Sequence, residues 1–353
     1  MSKHTCLVHV VGSMPLGSVE EVMSTTAAIL GPRVRRMTNG EVGRTRGWIT
    51  GHHRIFAHHP AFEEYVHEEK FDPRAPNIKR RRFRLKEGQA APTAESFGSL
   101  GYAEDAREAF SVLSGLKLAD KVSADTKLLV AIPAPYDILN FAVAKSDFTA
   151  VLPAYEQALI AEVERVAEAV PRESLAIQWD AAHEFEYLAT SSPMFNHMSR
   201  EEMVAMLVRL GNAVAPAIDL GYHCCYGNFN LKHFVEPVDM GDMVDVVNKV
   251  RSGLKRSVQF IHMPVPIDRS DEAYFAPLKD LKRQQGLEFY LGLAHGRDGV
   301  DGTLARARVA HKVISNFGIS TECGLGMREP DDIRKLLHVQ ADTAAEIDRA
   351  IQV

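Results

Sequence analysis

Short apolar runs rich in β-branched residues alternate along this chain with longer segments whose apolar positions recur every three or four residues. Eight runs occur in order, at 7–12, 34–38, 128–133, 175–179, 221–225, 258–262, 288–293 and 319–322. Between them, 155–170, 203–218, 240–254 and 304–317 carry the helical period. Strands that alternate with helices predict a parallel sheet. Eight β/α units predict an α/β chain folded as a (β/α)8 TIM barrel, a single domain over 1–353. The long departure is 51–126, between the second and third runs. It is rich in His, Arg and Pro and holds helical stretches at 60–69 and 103–116. It reads as a partly helical insertion placed to cover the barrel mouth.

Composition changes this picture little. The chain has 353 residues, 46% apolar and 25% charged, which suits one elaborated barrel. A net charge of −5 and a pI near 6.3 argue against a nucleic-acid binder. The run Lys79-Arg80-Arg81-Arg82-Phe83-Arg84 is a local exception. It reads as a solvated loop or, less simply, as a site for an anionic ligand. No apolar stretch is long enough to span a membrane. The four cysteines do not form a disulfide framework in so long a chain, so a reducing cytoplasm is the expected location.

Barrel chemistry belongs at the C-terminal ends of strands. Those ends carry Ser13; then Glu41, Arg44, Arg46 and Trp48; then Asp137; then Asp180, His183, Glu184 and Glu186. Beyond them come His223 with Cys225, then His262, then His295 with Asp298, and finally Cys323. In an extended segment His223 and Cys225 point to one face and Cys224 to the other. One imidazole and two thiolates make a soft, zinc-preferring set that leaves a coordination position for a substrate. A thiol bound there would lose its proton and become a nucleophile near neutral pH. A pair of packed structural cysteines is the competing account.

Several motifs resemble the cobalamin-independent methionine synthase family, in its C-terminal catalytic barrel. Gly12-Ser13-Met14-Pro15 is similar to the family's Gly-Ser-Phe-Pro, and Gly40-Glu41 to the end of its His-Gly-Glu. Ile177-Gln178-Trp179-Asp180 resembles Ile-Gln-Ile-Asp. His223-Cys224-Cys225-Tyr226-Gly227-Asn228-Phe229 resembles His-Met-Cys-Tyr-Ser-Asn-Phe, and Glu322-Cys323-Gly324-Leu325 resembles Asp-Cys-Gly-Leu. The resemblance implies zinc held by His223, Cys225 and Cys323. It also implies that Ser13, the Val11 backbone, Glu41 and Asp180 bind the amino acid part of a thiol such as homocysteine.

The family's fourth zinc ligand is a glutamate after the sixth strand. This chain has no acid there: His262 replaces it, or the site keeps three protein ligands, or it has lost its metal. His295 or Asp298 would protonate the leaving group, and Arg44 with Arg46 would bind donor carboxylates. The expected activity is methyl or alkyl transfer to a zinc-activated thiol, with a methylated tetrahydrofolate as one candidate donor. A decarboxylase or C–S lyase like uroporphyrinogen decarboxylase and its relatives, and a non-catalytic zinc-binding barrel, are the alternatives. The partners expected are small molecules only.

Overall fold

A computed structural model describes residues 5–69, 78–192, 195–228, 231–233 and 235–351. Nine strands are present among them: β1 Arg36–Thr38, β2 Phe62–Glu69, β3 Ile78–Leu85, β4 Lys127–Pro133, β5 Leu175–Ala181, β6 Asp219–Cys224, β7 Phe260–Pro264, β8 Glu288–Ala294 and β9 Gly318–Thr321. The helices are α1 Val19–Leu30, α2 His53–His58, α3 Tyr102–Leu118, α4 Pro135–Ala142, α5 Phe148–Ala169, α6 His183–Thr190, α7 Arg200–Ala213, α8 Gly241–Gly253, α9 Glu272–Phe275, α10 Gly299–His311 and α11 Pro330–Ile351. No helix among the described residues is long and apolar enough to cross a membrane.

Seven strands form one parallel sheet in the order β1-β4-β5-β6-β7-β8-β9. It curls in the manner of a TIM barrel. The run expected as the first strand is reduced to a parallel bridge between Val8 and Ile319 of β9. The Val8 amide also donates to Arg33 O, in the turn just before β1. Its ladder stops early because side chains take over its carbonyls. Gln178 Nε2 donates to Val11 O and Thr38 Oγ1 to Gly12 O.

The register aligns the chemistry. Pro133 pairs with Asp180, Asp180 with His223, and His223 with His262 across β4 to β7. Four strands therefore end at one level. Buried Leu, Ile, Val and Phe from strands and helices form one continuous core around the sheet. The helices face it with the expected period, and α7 is closed at its start by a reciprocal Ser199–Glu202 capping box.

Residues 60–69 overturn the helical expectation. From Phe62 on they are β2, paired antiparallel with β3 in the register Glu63 to Arg84 and Glu64 to Phe83. The basic run is thus the partner of an acidic strand. Arg84 Nε bonds Glu63 at 2.7 Å, Arg81 Nε bonds Glu64 at 2.7 Å, and buried Arg82 donates to Val143 O at 3.0 Å. Opposite charges across a strand pair stabilise it, and this pairing partner lies outside any local window. The expectation of a solvated loop at this run fails for the same reason. Helix α3, also within 51–126, packs against α1, α5 and β4.

Candidate metal and substrate site

His223 lies near the end of β6, Cys225 is the first residue beyond it, and Cys323 follows β9 by two residues. Backbone bonding continues one step past β6, from Cys225 N to Ala181 O, which keeps the strand's alternation. His223 and Cys225 accordingly share a face, while Cys224 is buried in the apolar core. Burial raises the Cys224 thiol, as suits an inert packed cysteine.

The donor atoms of His223, Cys225 and Cys323 all lie within 4.8 Å of one another. Cys225 Sγ is 3.4 Å from Cys323 Sγ, and Cys323 Sγ is 3.8 Å from His223 Nε2. A tetrahedral zinc with bonds of ~2.3 Å to sulfur and ~2.0 Å to nitrogen would separate its donors by roughly 3.5–3.8 Å. The trio fits that ion. A hydrogen bond from Cys225 holds the Cys323 thiol down at about 5 despite burial. The same hydrogen bond, with burial, keeps Cys225 well above its ordinary value. A soft thiolate therefore stands ready, with a second thiol to be deprotonated by a metal.

His262 is not brought into this group. Its Nδ1 is 2.6 Å from His223 Nδ1 and its Nε2 is 3.0 Å from Thr321 O, so both ring nitrogens are engaged behind the trio.

Facing the trio is a cavity of about 340 Å3, a size suited to a small molecule. Val11, Ser13, Glu41, Asp180, His183, His223, Cys225 and Cys323 line it. Met14, Trp48, Ile49, Phe141 and Met327 supply apolar wall, and Arg46 is the single Lys or Arg among the described lining residues.

Glu41 sits at φ 53°, in the left-handed region, after Gly40 at φ 71°. Asn39 Oδ1 and Thr38 Oγ1 accept from the Glu41 and Gly40 amides and hold that turn. Such strain held at a cavity wall is characteristic of functional sites. Ser13 Oγ donates to Glu41 Oε2 at 2.5 Å. A Cβ at Gly12 would stand 2.8 Å from Glu41 Oε1, so a larger residue there would push the Glu41 carboxylate out of place. Burial raises Glu41 to about 7, against the lowering effect of Ser13. Burial and then Glu41 raise Asp180 well above the carboxylate range. Asp180 is oriented from below: His9 Nε2 is 2.8 Å from Gln178 Oε1, and Gln178 Nε2 donates to Asp180 Oδ1 at 2.8 Å.

Three expected participants are elsewhere. Arg44 bonds Asp105 and Glu108, at 2.8 and 2.9 Å. Asp298 is bound by buried Arg306 at 2.6 and 3.0 Å. His295 is bonded to Val265 O at 2.8 Å and lies 3.4 Å from Glu322. None of them lines the cavity. In their place the structure offers His183, to which the sequence reading gave no role. Its Nδ1 is 3.2 Å from Asp137 Oδ1, and its ring stacks on Phe141 at 4.6 Å. Asp137 also accepts from the Ala182 and His183 amides, which fixes the start of α6. The only sequence signal was a histidine three residues after Asp180.

No protein-family model matches the chain, and no curated protein sequence does. Solved structures do. Over 99% of its length the chain is similar to a B12-independent methionine synthase from Shewanella sp. W3-18-1, solved with selenomethionine. The match covers 99% of that chain, with a TM-score of 0.61 and 13% identity. The chain has the fold of the B12-independent methionine synthases. A protein from Listeria monocytogenes described as a vitamin-B12-independent methionine synthase matches with a TM-score of 0.57 and 14% identity, over 94% of this chain and 86% of that one. At such identities the likeness is one of fold, and the chemistry of this methionine-synthase-like barrel rests on its own residues.

Proposed function

We propose that the protein is a zinc-dependent alkyltransferase, most simply a methyltransferase, acting on a small thiol such as homocysteine. The observation that carries this reading is the His223–Cys225–Cys323 trio opening onto the same cavity as Glu41 and Asp180. Bound zinc would supply the Lewis acidity that keeps an acceptor sulfur as thiolate. His223, Cys225 and Cys323 would hold it. Glu41, Asp180 and the Val11 carbonyl take the acceptor's ammonium group, and Ser13 keeps the Glu41 carboxylate in place. His183, oriented by Asp137, gives a proton to the departing group of the alkyl donor. Apolar walls around Trp48 and Phe141 take the donor body, and Arg46 takes an anionic end at the mouth. A methylated tetrahydrofolate is one donor of that description.

We further infer that 7–12 acts as the eighth stave of the barrel and that 51–126 covers its mouth, next to the wall residues Trp48, Ile49 and Thr50. Free thiols suit a reducing cytoplasm. A polycarboxylate decarboxylase would be expected to cluster cations in its cavity, and a lone Arg46 does not favour that reading.

Metal analysis of protein purified without chelator, followed by assay of methyl transfer to homocysteine, tests the proposal. Near-stoichiometric zinc and S-methylated product support it; metal-free, inactive protein would sink it.

Two further outcomes follow from the same geometry. A carboxyl raised to about 7 is neutral below that pH and anionic above it, so ammonium binding at Glu41 is lost as pH falls through 7. Methionine, whose sulfur does not titrate, should therefore bind more tightly as pH rises from ~6 to ~8. Glu41→Gln should flatten that dependence in calorimetric titrations. His183→Gln should lower kcat by ~10²–10⁴-fold with little change in methionine affinity. An unchanged kcat would remove His183 from the mechanism.

A further inference from the structure

We infer that His262, although it occupies the place where the resembling family has a metal ligand, acts here as a positioning residue that presets His223 to bind metal through Nε2. The inference rests on the zinc reading for its purpose, but its geometry stands alone. A carbonyl oxygen can only accept, so the 3.0 Å contact with Thr321 O requires the His262 proton to be on Nε2. The ring is 0% exposed, and no carboxylate among the described residues is bonded to it. A buried imidazolium without an anion is strongly disfavoured, so Nδ1 of His262 carries a bare lone pair. That nitrogen lies 2.6 Å from His223 Nδ1, which must then be the donor. A neutral His223 with its proton on Nδ1 has its own lone pair on Nε2, the nitrogen that faces Cys323 Sγ at 3.8 Å.

Three strands cooperate in this relay. His223 on β6 and His262 on β7 are register partners, and Thr321 ends β9. Strand β8 lies between β7 and β9, and it passes the contact at Gly292. A Cβ there would stand 2.8 Å from Thr321 O and 3.1 Å from His262 Nε2, so a glycine opens the path for this bond. Thr321 also donates through Oγ1 to Cys323 O at 2.8 Å. The carbonyl that fixes His262 thus belongs to the turn that presents the second thiolate. A ligand's tautomer and ring angle set by a partner on its other nitrogen is a general device of metal sites.

The relay is read directly in metal-free protein labelled with 15N-histidine, by long-range proton–nitrogen correlation. The ring signals are assigned from His223→Gln and His262→Asn proteins. His223 protonated at Nδ1 and His262 at Nε2 is the expected pattern; the reverse tautomer at either ring overturns the inference. Zinc affinity, measured by competition with a chromophoric chelator, gives the functional arm. His262→Leu should weaken zinc by ~10–100-fold, the usual effect of losing such a partner. His262→Asn, whose Oδ1 can accept from His223 Nδ1, should remain within ~3-fold of the parent protein. Equal affinities in the parent and the leucine variant would overturn it. A parent protein that takes up no zinc would instead remove the proposed function, and the metal-free tautomers would still decide the relay.

Discussion

Cys323→Ser protein is expected to be purified with little or no zinc and to transfer no alkyl group, while keeping its fold. Cys323 is the thiolate of the trio, held near pKa 5 chiefly by the hydrogen bond from Cys225. A serine hydroxyl remains protonated at any usable pH and is a hard donor, so it replaces neither the charge nor the softness of sulfur. The loss in affinity should exceed the ~10–100-fold expected for an outer partner such as His262. Zinc content by elemental analysis and circular dichroism of the same samples check both halves. A serine variant that retains stoichiometric zinc and activity would show that the trio is a packed thiol cluster. Cys224→Ser is the internal control, because Cys224 faces the core and should affect stability alone.

The second large effect lies at the opposite end of the barrel. Arg36 is 5% exposed and carries the floor of the sheet. It bonds Asp219 at 2.7 and 3.0 Å and Glu288 at 2.6 Å, and its guanidinium lies 4.2 Å from the centre of the Phe260 ring. Lys127 also bonds Asp219, and Arg35 and Tyr290 also bond Glu288. Arg36→Met would leave Asp219 and Glu288 partly buried without their main counter-charge. Lys127 and Arg35 still face these acids, so the loss should fall at or below the ~3–5 kcal/mol of a fully unpaired buried charge, still a large share of the stability of an ordinary domain. Urea unfolding should show this loss without a change in zinc content. A loss below ~1 kcal/mol would mean that water or Lys127 compensates. Although burial raises the Asp219 carboxyl, Arg36 and Lys127 hold it below its ordinary value. Its contribution is therefore complete above the unfolded value of about 3.9 and is lost as pH falls below it. The parent protein should lose this part of its stability in acid, and the methionine variant should show a weaker dependence.

Where sequence reading succeeded and where it failed follows from the range of the interactions. The His223–Cys225 pair was legible because two residues two apart on a strand share a face whatever surrounds them. Glu41 and Asp180 were legible because each stands within three residues of the end of an apolar run. Arg44 and Arg46 were not separable, being two residues apart in one loop. Asp105, on α3, takes Arg44, and Arg46 is left at the cavity mouth. His295 and His183 follow different strands with equal plausibility. Arg306 claims the neighbouring Asp298 and Val265 holds His295, while His183, beside Asp137, lies on the cavity wall. The stretch 60–69 misled because its decisive partner, the basic strand Ile78–Leu85, lies farther along the chain than any local periodicity reaches.

By itself the sequence determined the alternation of strands and helices, the parallel sheet, and which donor types stand at the strand ends, because these depend on local periodicity and on residue chemistry. Only the tertiary structure decided which of those donors meet. Cys225 and Cys323 come within 3.4 Å because the curl of the sheet brings strands far apart in the chain to one rim. His262 passes from ligand to partner because Gly292 leaves room for it to reach Thr321. Curvature and the space beside a missing side chain are properties of packing across many strands, and no window of sequence contains them.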